Sequence, residues 1–149
     1  MNKQPVPLEK EVEHVIEEAR MVLPGIQALF GFQLIAVFNQ RFEVLGVLGR
    51  WLHLLSIVLV AISIAMIMAP AAYHRQAQRG FVSREFSVYA SRIITVAMAP
   101  LMFAIVIDVI LVSWLITHSW IVGDVLGALL LVLYGWFWFV LPQKRRREN

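Results

Sequence analysis

The chain contains no cysteine. Disulfides and thiolate chemistry are therefore excluded, and any metal would have to be held by histidine, carboxylate or amide groups. Charge is also scarce: Asp, Glu, Lys and Arg make up 15% of the 149 residues, against about 25% in an average soluble domain. There is no glycine-rich phosphate loop, no nucleophile set with an adjacent base, and no CxxCH for covalent haem. Enzymatic activity is not expected, and no cofactor is implied.

What fills the space is apolar. Hydrophobic residues form 60% of the sequence, with a mean hydropathy of +0.73, where soluble domains carry roughly 45–50% apolar residues. Crossing a hydrocarbon core takes about 20 residues of helix. Met21 to Gln40 has no charged residue, and Trp51 to Pro70 has none unless His53 is protonated. Between Ile93 and Ile116 the one charge is Asp108, and between Ile121 and Leu141 it is Asp124. The expectation is an all-α integral membrane protein, a four-helix bundle with an N-terminal amphipathic helix.

Basic residues set the expected orientation, because cytoplasmic loops are enriched in Lys and Arg. Lys3, Lys10, Arg20, Arg75, Arg79, Arg84, Arg92 and Lys144 to Arg147 lie on one side and only Arg41 and Arg50 on the other, eleven against two. Both termini and the middle loop are thus expected in the cytoplasm of a bacterial inner membrane. The pI near 9.7 reflects this distribution, and no nucleic-acid partner is expected. The opening MNKQPVPLEKEVEHVIEEAR lacks the basic and apolar order of a secretory leader, so no cleavage is expected.

Leu8, Val12, Val15, Ile16, Ala19 and Val22 recur at helical spacing. The opposite face carries Glu9, Glu11, Glu13, Glu17 and Glu18, whereas a helix lying on anionic lipid is rich in Lys and Arg. Residues 1–22 are therefore expected to form a cytoplasmic amphipathic helix docked against Arg75, Arg79 and Arg84. Residues 23–141 would form the transmembrane domain, with Pro24 and Gly25 at its start, and 142–149 a basic tail. Small residues that let helices approach occur at Ala61, Ala65 and Ala69 and at Gly123 with Gly127. Pro100, inside the third span, predicts a kink.

The stretch Leu101 to Trp114, LMFAIVIDVILVSW, poses the functional question. At about 1.5 Å of rise per residue, Asp108 sits about 9 Å inside Trp114, and Asp124 about 6 Å inside Trp120. His53, Arg50, Asn39, Gln40 and Arg41 cluster toward the same end. A charged carboxylate at the bilayer centre costs at least about 2.5–3.5 kcal/mol and usually faces a bundle interior, a cavity or a partner. Asp108, with Asp124 and His53, is therefore a candidate for binding a proton or small cation. Gln33 and Gln40, seven residues apart, and Ser56 and Ser63, likewise, offer further oxygen ligands. The alternative is a structural pair in which Arg50 or His53 neutralises Asp108 and fixes helix register. None of the four histidines is paired at i, i+3 or i+4 spacing, so haem could be held only by histidines from different helices.

Two stretches, LPGIQALFGFQLIAVFNQRF at Leu23 to Phe42 and IMAPAAYHR ending at Arg75, resemble a family of small bacterial four-span membrane proteins. Some members of that family are labelled sodium/proton antiporters. The resemblance runs from about residue 8 to residue 116 and implies ion transport, with protons or sodium as the transported species. Secondary transporters commonly bind substrate between repeated halves; this chain shows no internal repeat, so homo-oligomerisation is expected. The competing expectation is an accessory or scaffold subunit of a larger membrane complex.

Overall fold

The computed structural model describes residues 7–77 and 83–147, and among these no strand occurs. Helix α1 spans Leu8–Ala36, α2 Gly46–Ala77, α3 Arg84–Thr117, α4 Trp120–Tyr134 and α5 Leu141–Arg147. A 3-10 turn at Gln40–Leu45 joins α1 to α2, and a π-helical segment at Gly135–Val140 joins α4 to α5. Four stretches are long and apolar enough to cross a bilayer: Lys10–Ala36, Gln40–Gln76, Arg84–Thr117 and Trp120–Arg145. Many large apolar side chains face outward, with Phe38 88% and Ile121 76% exposed, far more apolar surface than a soluble monomer leaves in water. The fold is compatible with a multi-pass membrane protein.

Local chemistry places the helix ends. Ser83 caps α3 by accepting the N–H of Phe86 at 3.2 Å, satisfying a donor that the first turn leaves open. At the other end His118 adopts the left-handed conformation (φ 54°), and its N–H reaches the carbonyl of Trp114 at 2.7 Å. That tight reversal makes α3 and α4 neighbours, as the brevity of Thr117–Ser119 predicts. Asn39 accepts the N–H of Arg41 at 2.9 Å and so starts the 3-10 turn, which ends at Gly46 with φ 64°.

Several expectations change. Pro24 does not interrupt α1, so the amphipathic segment and the first span are one continuous helix. Its N-terminal part docks through apolar Val12, Val15 and Ile16 against Phe86 and Ala90 at the start of α3. Among the described side chains no ion pair links its carboxylates to Arg75 or Arg84; Arg79 lies outside the described residues. Tyr73 and His74 of α2 add ring contacts to Phe86 at 5.8 and 5.5 Å.

The core joins α1, α2 and α3. Ile26, Val60, Ile67, Ala97, Leu101 and Ala104 form its centre. Helix association in lipid depends on packing and interhelical hydrogen bonds, because tails are as apolar as leucine. Both operate between α2 and α3: Ser56 lies against the carbonyl of Ala104 at 3.1 Å, and Ser63 donates to that of Ala97 at 2.6 Å. Seven residues up one helix match seven down the other, as antiparallel pairing requires. The α3 helix continues through Pro100, and Ser63 supplies a hydrogen bond one residue from the carbonyl that proline leaves unpaired.

Helix α4 packs mainly along α3. Gly123 and Gly127 make that approach possible, since a Cβ at Gly123 would lie 2.9 Å from the backbone oxygen of Ile110. The expected alanine ridge on α2 points elsewhere: Ala61 and Ala65 are exposed, while His53, Ser56, Val60, Ser63 and Ile67 form the buried face. The C-terminal basic segment is helical through Arg147.

Candidate functional site: a carboxylate at the head of a cleft

Four side chains from three helices meet at the end of the bundle that carries the 3-10 turn. Asp108 from α3 accepts hydrogen bonds on both carboxylate oxygens: Gln33 Nε2 reaches Oδ2 at 2.7 Å, and Ser56 Oγ reaches Oδ1 at 2.8 Å. The second N–H of the Gln33 amide is directed to Ser56 Oγ, also at 2.7 Å. A hydroxyl has one hydrogen, so Ser56 donates either to Asp108 or to the carbonyl of Ala104. Gln33 is 4% exposed, His53 7% and Ser56 fully buried, and the Asp108 side chain is 19% exposed.

His53 fixes the proton accounting. Its Nε2 lies 2.9 Å from the main-chain oxygen of Gln33, in the last four residues of α1, where a helix leaves carbonyls without N–H partners. A carbonyl only accepts, so Nε2 carries hydrogen, and Nδ1 of the neutral ring is a bare acceptor. That Nδ1 faces Asp108 Oδ1 at 3.9 Å. A proton on either atom would turn this acceptor–acceptor contact into a donor–acceptor one. Phe42 from the 3-10 turn closes one side of the ring, edge-on at 5.2 Å.

The group opens into a cleft of about 450 Å³ between α1 and α3, capped by the 3-10 turn. Gln33, His53 and Asp108 form its polar end; Phe32, Leu111 and Ile116 are among its apolar walls; Asn39 and Arg41 stand at its mouth. Phe32 and Ile116 are each 73% exposed, so the cleft opens sideways onto the exposed apolar surface.

Not every predicted residue joins this site. Asp124 is exposed on α4 and takes no part in the hydrogen-bonded group. Arg50 is exposed too, and its guanidinium is directed to the carbonyl of Glu43 at 3.5 Å instead of to Asp108; it cannot neutralise the carboxylate. Gln40 does not share a face with Gln33, because α1 ends at Ala36 and Gln40 falls in the exposed turn. Asn39 caps that turn. Ser63 is committed to the carbonyl of Ala97, about three turns from Asp108 along α3. Ser56 is the more important serine, and its signal was the seven-residue match between Ser56/Ser63 and Ala104/Ala97. Phe42 had no signal beyond its place in the turn. Among the described residues no cluster of three or more His, Asp or Glu could hold a metal.

Among the described residues the fold is all-helical, with four helices long and apolar enough to span a membrane, and one hydrogen-bonded carboxylate is set among them. The chain belongs to a family of unknown function, DUF6328, whose family model matches residues 4–142. Neither the curated proteins nor the solved structures contain a significant match.

Proposed function

We propose that this protein moves protons across the bacterial inner membrane, as an antiporter-like transporter in which Asp108 binds and releases the proton. One observation carries the reading. The carboxylate has no Lys or Arg ion-pair partner among the described residues, and it faces an imidazole nitrogen that is a bare acceptor when neutral. A carboxylate with no cationic side-chain partner, facing an imidazole acceptor at the head of an accessible cleft, is suited to proton exchange. The eleven-to-two distribution of basic residues supports cytoplasmic termini, which would put the cleft in the outer half of the membrane.

Sodium as the exchanged ion finds less support. A hard cation needs several oxygens arranged around a gap. Here Gln33, Ser56 and Asp108 are already in mutual contact at 2.7–2.8 Å.

The test is proton flux in proteoliposomes carrying an internal pH dye, under imposed proton and sodium gradients. Wild type should dissipate the gradient, and folded Asp108→Asn should not. Equal flux from both proteins would remove Asp108 from the transport reaction. The second reading, an accessory subunit of a larger complex, is favoured by the exposed small-residue face at Ala61 and Ala65 of α2, where another helix could approach closely. The same face suits a homo-oligomer. An accessory subunit predicts co-purification with a stoichiometric partner and no flux from the isolated protein.

A further inference from the structure

The unused hydrogen-bonding capacity at the polar end of the cleft is of the acceptor kind, while Asn39 and Arg41 of the turn segment bring donors to the rest of its lining. Asp108 presents acceptor lone pairs, Nδ1 of neutral His53 is an acceptor, and Gln33 Oε1 is buried with no hydrogen-bond partner. A group seated at that polar end is therefore favoured when it brings positive charge or hydrogen-bond donors. An anionic head would meet a carboxylate. The walls beyond the polar end are apolar or aromatic, including Phe32, Phe42, Leu111 and Ile116, and the opening is lateral. Such walls suit a greasy body and give a hydrated ion nothing to coordinate, while aromatic faces attract organic cations.

From this combination of geometry and chemistry we infer that the cleft binds a lipophilic monovalent organic cation, such as a quaternary or protonated amine with an apolar body, in exchange for the proton held at Asp108. The inference rests on the proton-exchange reading above and names its second substrate. Cation and proton compete for one carboxylate, so binding the first expels the second. No covalent step is involved.

The groups facing Asp108 and its cleft come from three elements. His53 comes from α2, neutral Gln33 from α1, and Arg41 from the 3-10 turn at the cleft mouth; Asp124 on α4 is exposed and outside the cleft. Arg41 opposes the entry of a cation, so its removal should help. For an anionic or zwitterionic amphiphile the Arg41 effect would reverse.

The experiment uses the full purified chain in nanodiscs with tetraphenylphosphonium as the probe, measuring equilibrium binding and, in weak buffer with a pH dye, proton release. Wild type should bind the probe and release up to one proton per chain, with tighter binding as pH rises. Asp108→Asn should weaken binding by more than about tenfold, the loss of a nearby Coulomb partner, and abolish proton release. Asp108→Glu should retain both. Ala36→Phe, which fills the cleft without altering the carboxylate, should weaken binding, and Arg41→Gln should tighten it. Binding unchanged in Asp108→Asn or Ala36→Phe, with native elution and helicity, would place the cation elsewhere and overturn the inference. No binding to wild type, alongside Asp108-dependent proton flux in proteoliposomes, would overturn the cation and leave the proton reading standing. Neither binding nor flux would overturn both.

Discussion

Ser56 and Ser63 form a controlled pair. Both are fully buried on the same face of α2, both contact a carbonyl of α3, and the change to alanine removes the same oxygen from each. Ser63 has one partner, the Ala97 carbonyl at 2.6 Å. Interhelical hydrogen bonds in membrane proteins average about 0.6 kcal/mol and reach about 1.7, which bounds the cost of Ser63→Ala. Ser56 has more to lose. Its hydroxyl donates to Asp108 at 2.8 Å, and bonds to charged groups are worth about 1.5–3 kcal/mol. Its oxygen also accepts from Gln33 at 2.7 Å, and a buried donor left without a partner costs about 1–3 kcal/mol. Allowing for partners found in the unfolded membrane-bound state, Ser56→Ala should cost about 2–4 kcal/mol, more than Ser63→Ala. Steric-trap unfolding in bicelles measures both. In a double-mutant cycle, Asp108→Asn should reduce the Ser56→Ala penalty and leave that of Ser63→Ala unchanged. Equal penalties, or a larger one at Ser63, would refute the assignment of Ser56 to the carboxylate.

Three further outcomes are expected. Gly123→Ala should loosen the α3–α4 contact by about 1–3 kcal/mol, because its Cβ would meet the Ile110 backbone oxygen at 2.9 Å; Gly127→Ala meets the flexible tip of Ile110 and should cost less, as thermal unfolding of the two variants would reveal. Arg50→Ala should change stability by no more than about 0.5 kcal/mol and leave proton flux intact, since its side chain is directed to the Glu43 carbonyl; loss of flux would argue for an ion pair with Asp108. Because the chain has no native cysteine, a Val12→Cys/Ala90→Cys protein should crosslink efficiently with a short bifunctional reagent, and failure to do so would contradict the docking of α1 on α3.

The fold was largely legible from uncharged runs, whose lengths follow from the thickness of a bilayer and the rise of a helix. The pairing of α4 with α3 was legible too, from the brevity of the turn at Thr117–Ser119. The turn after α1 was misplaced for a local reason: Asn39 looks like the polar end of a span, yet its oxygen caps a 3-10 turn that begins there. At the site, Asp108, His53 and Gln33 stood out as polar groups where lipid makes polarity expensive. Whether they met depended on the relative rotation of α1, α2 and α3. Helical periodicity gives the face of each helix but not the direction in which its partner looks. Arg50 and Asp124 share the approximate depth of Asp108 and nothing else, so depth alone overcounted the cluster. The serine–alanine match at seven-residue spacing was the one signal that could have fixed the α2–α3 rotation.

The central claim is that Asp108 carries an exchangeable proton, and infrared difference spectroscopy across a pH titration tests it most directly. Wild type minus Asp108→Asn should isolate a carboxylic-acid carbonyl band that disappears on deprotonation, shifts in deuterated water, and is perturbed by His53→Gln. A wild-type spectrum in which no such band can be attributed to Asp108 at any pH would contradict the account and leave the carboxylate as a fixed anion joining three helices.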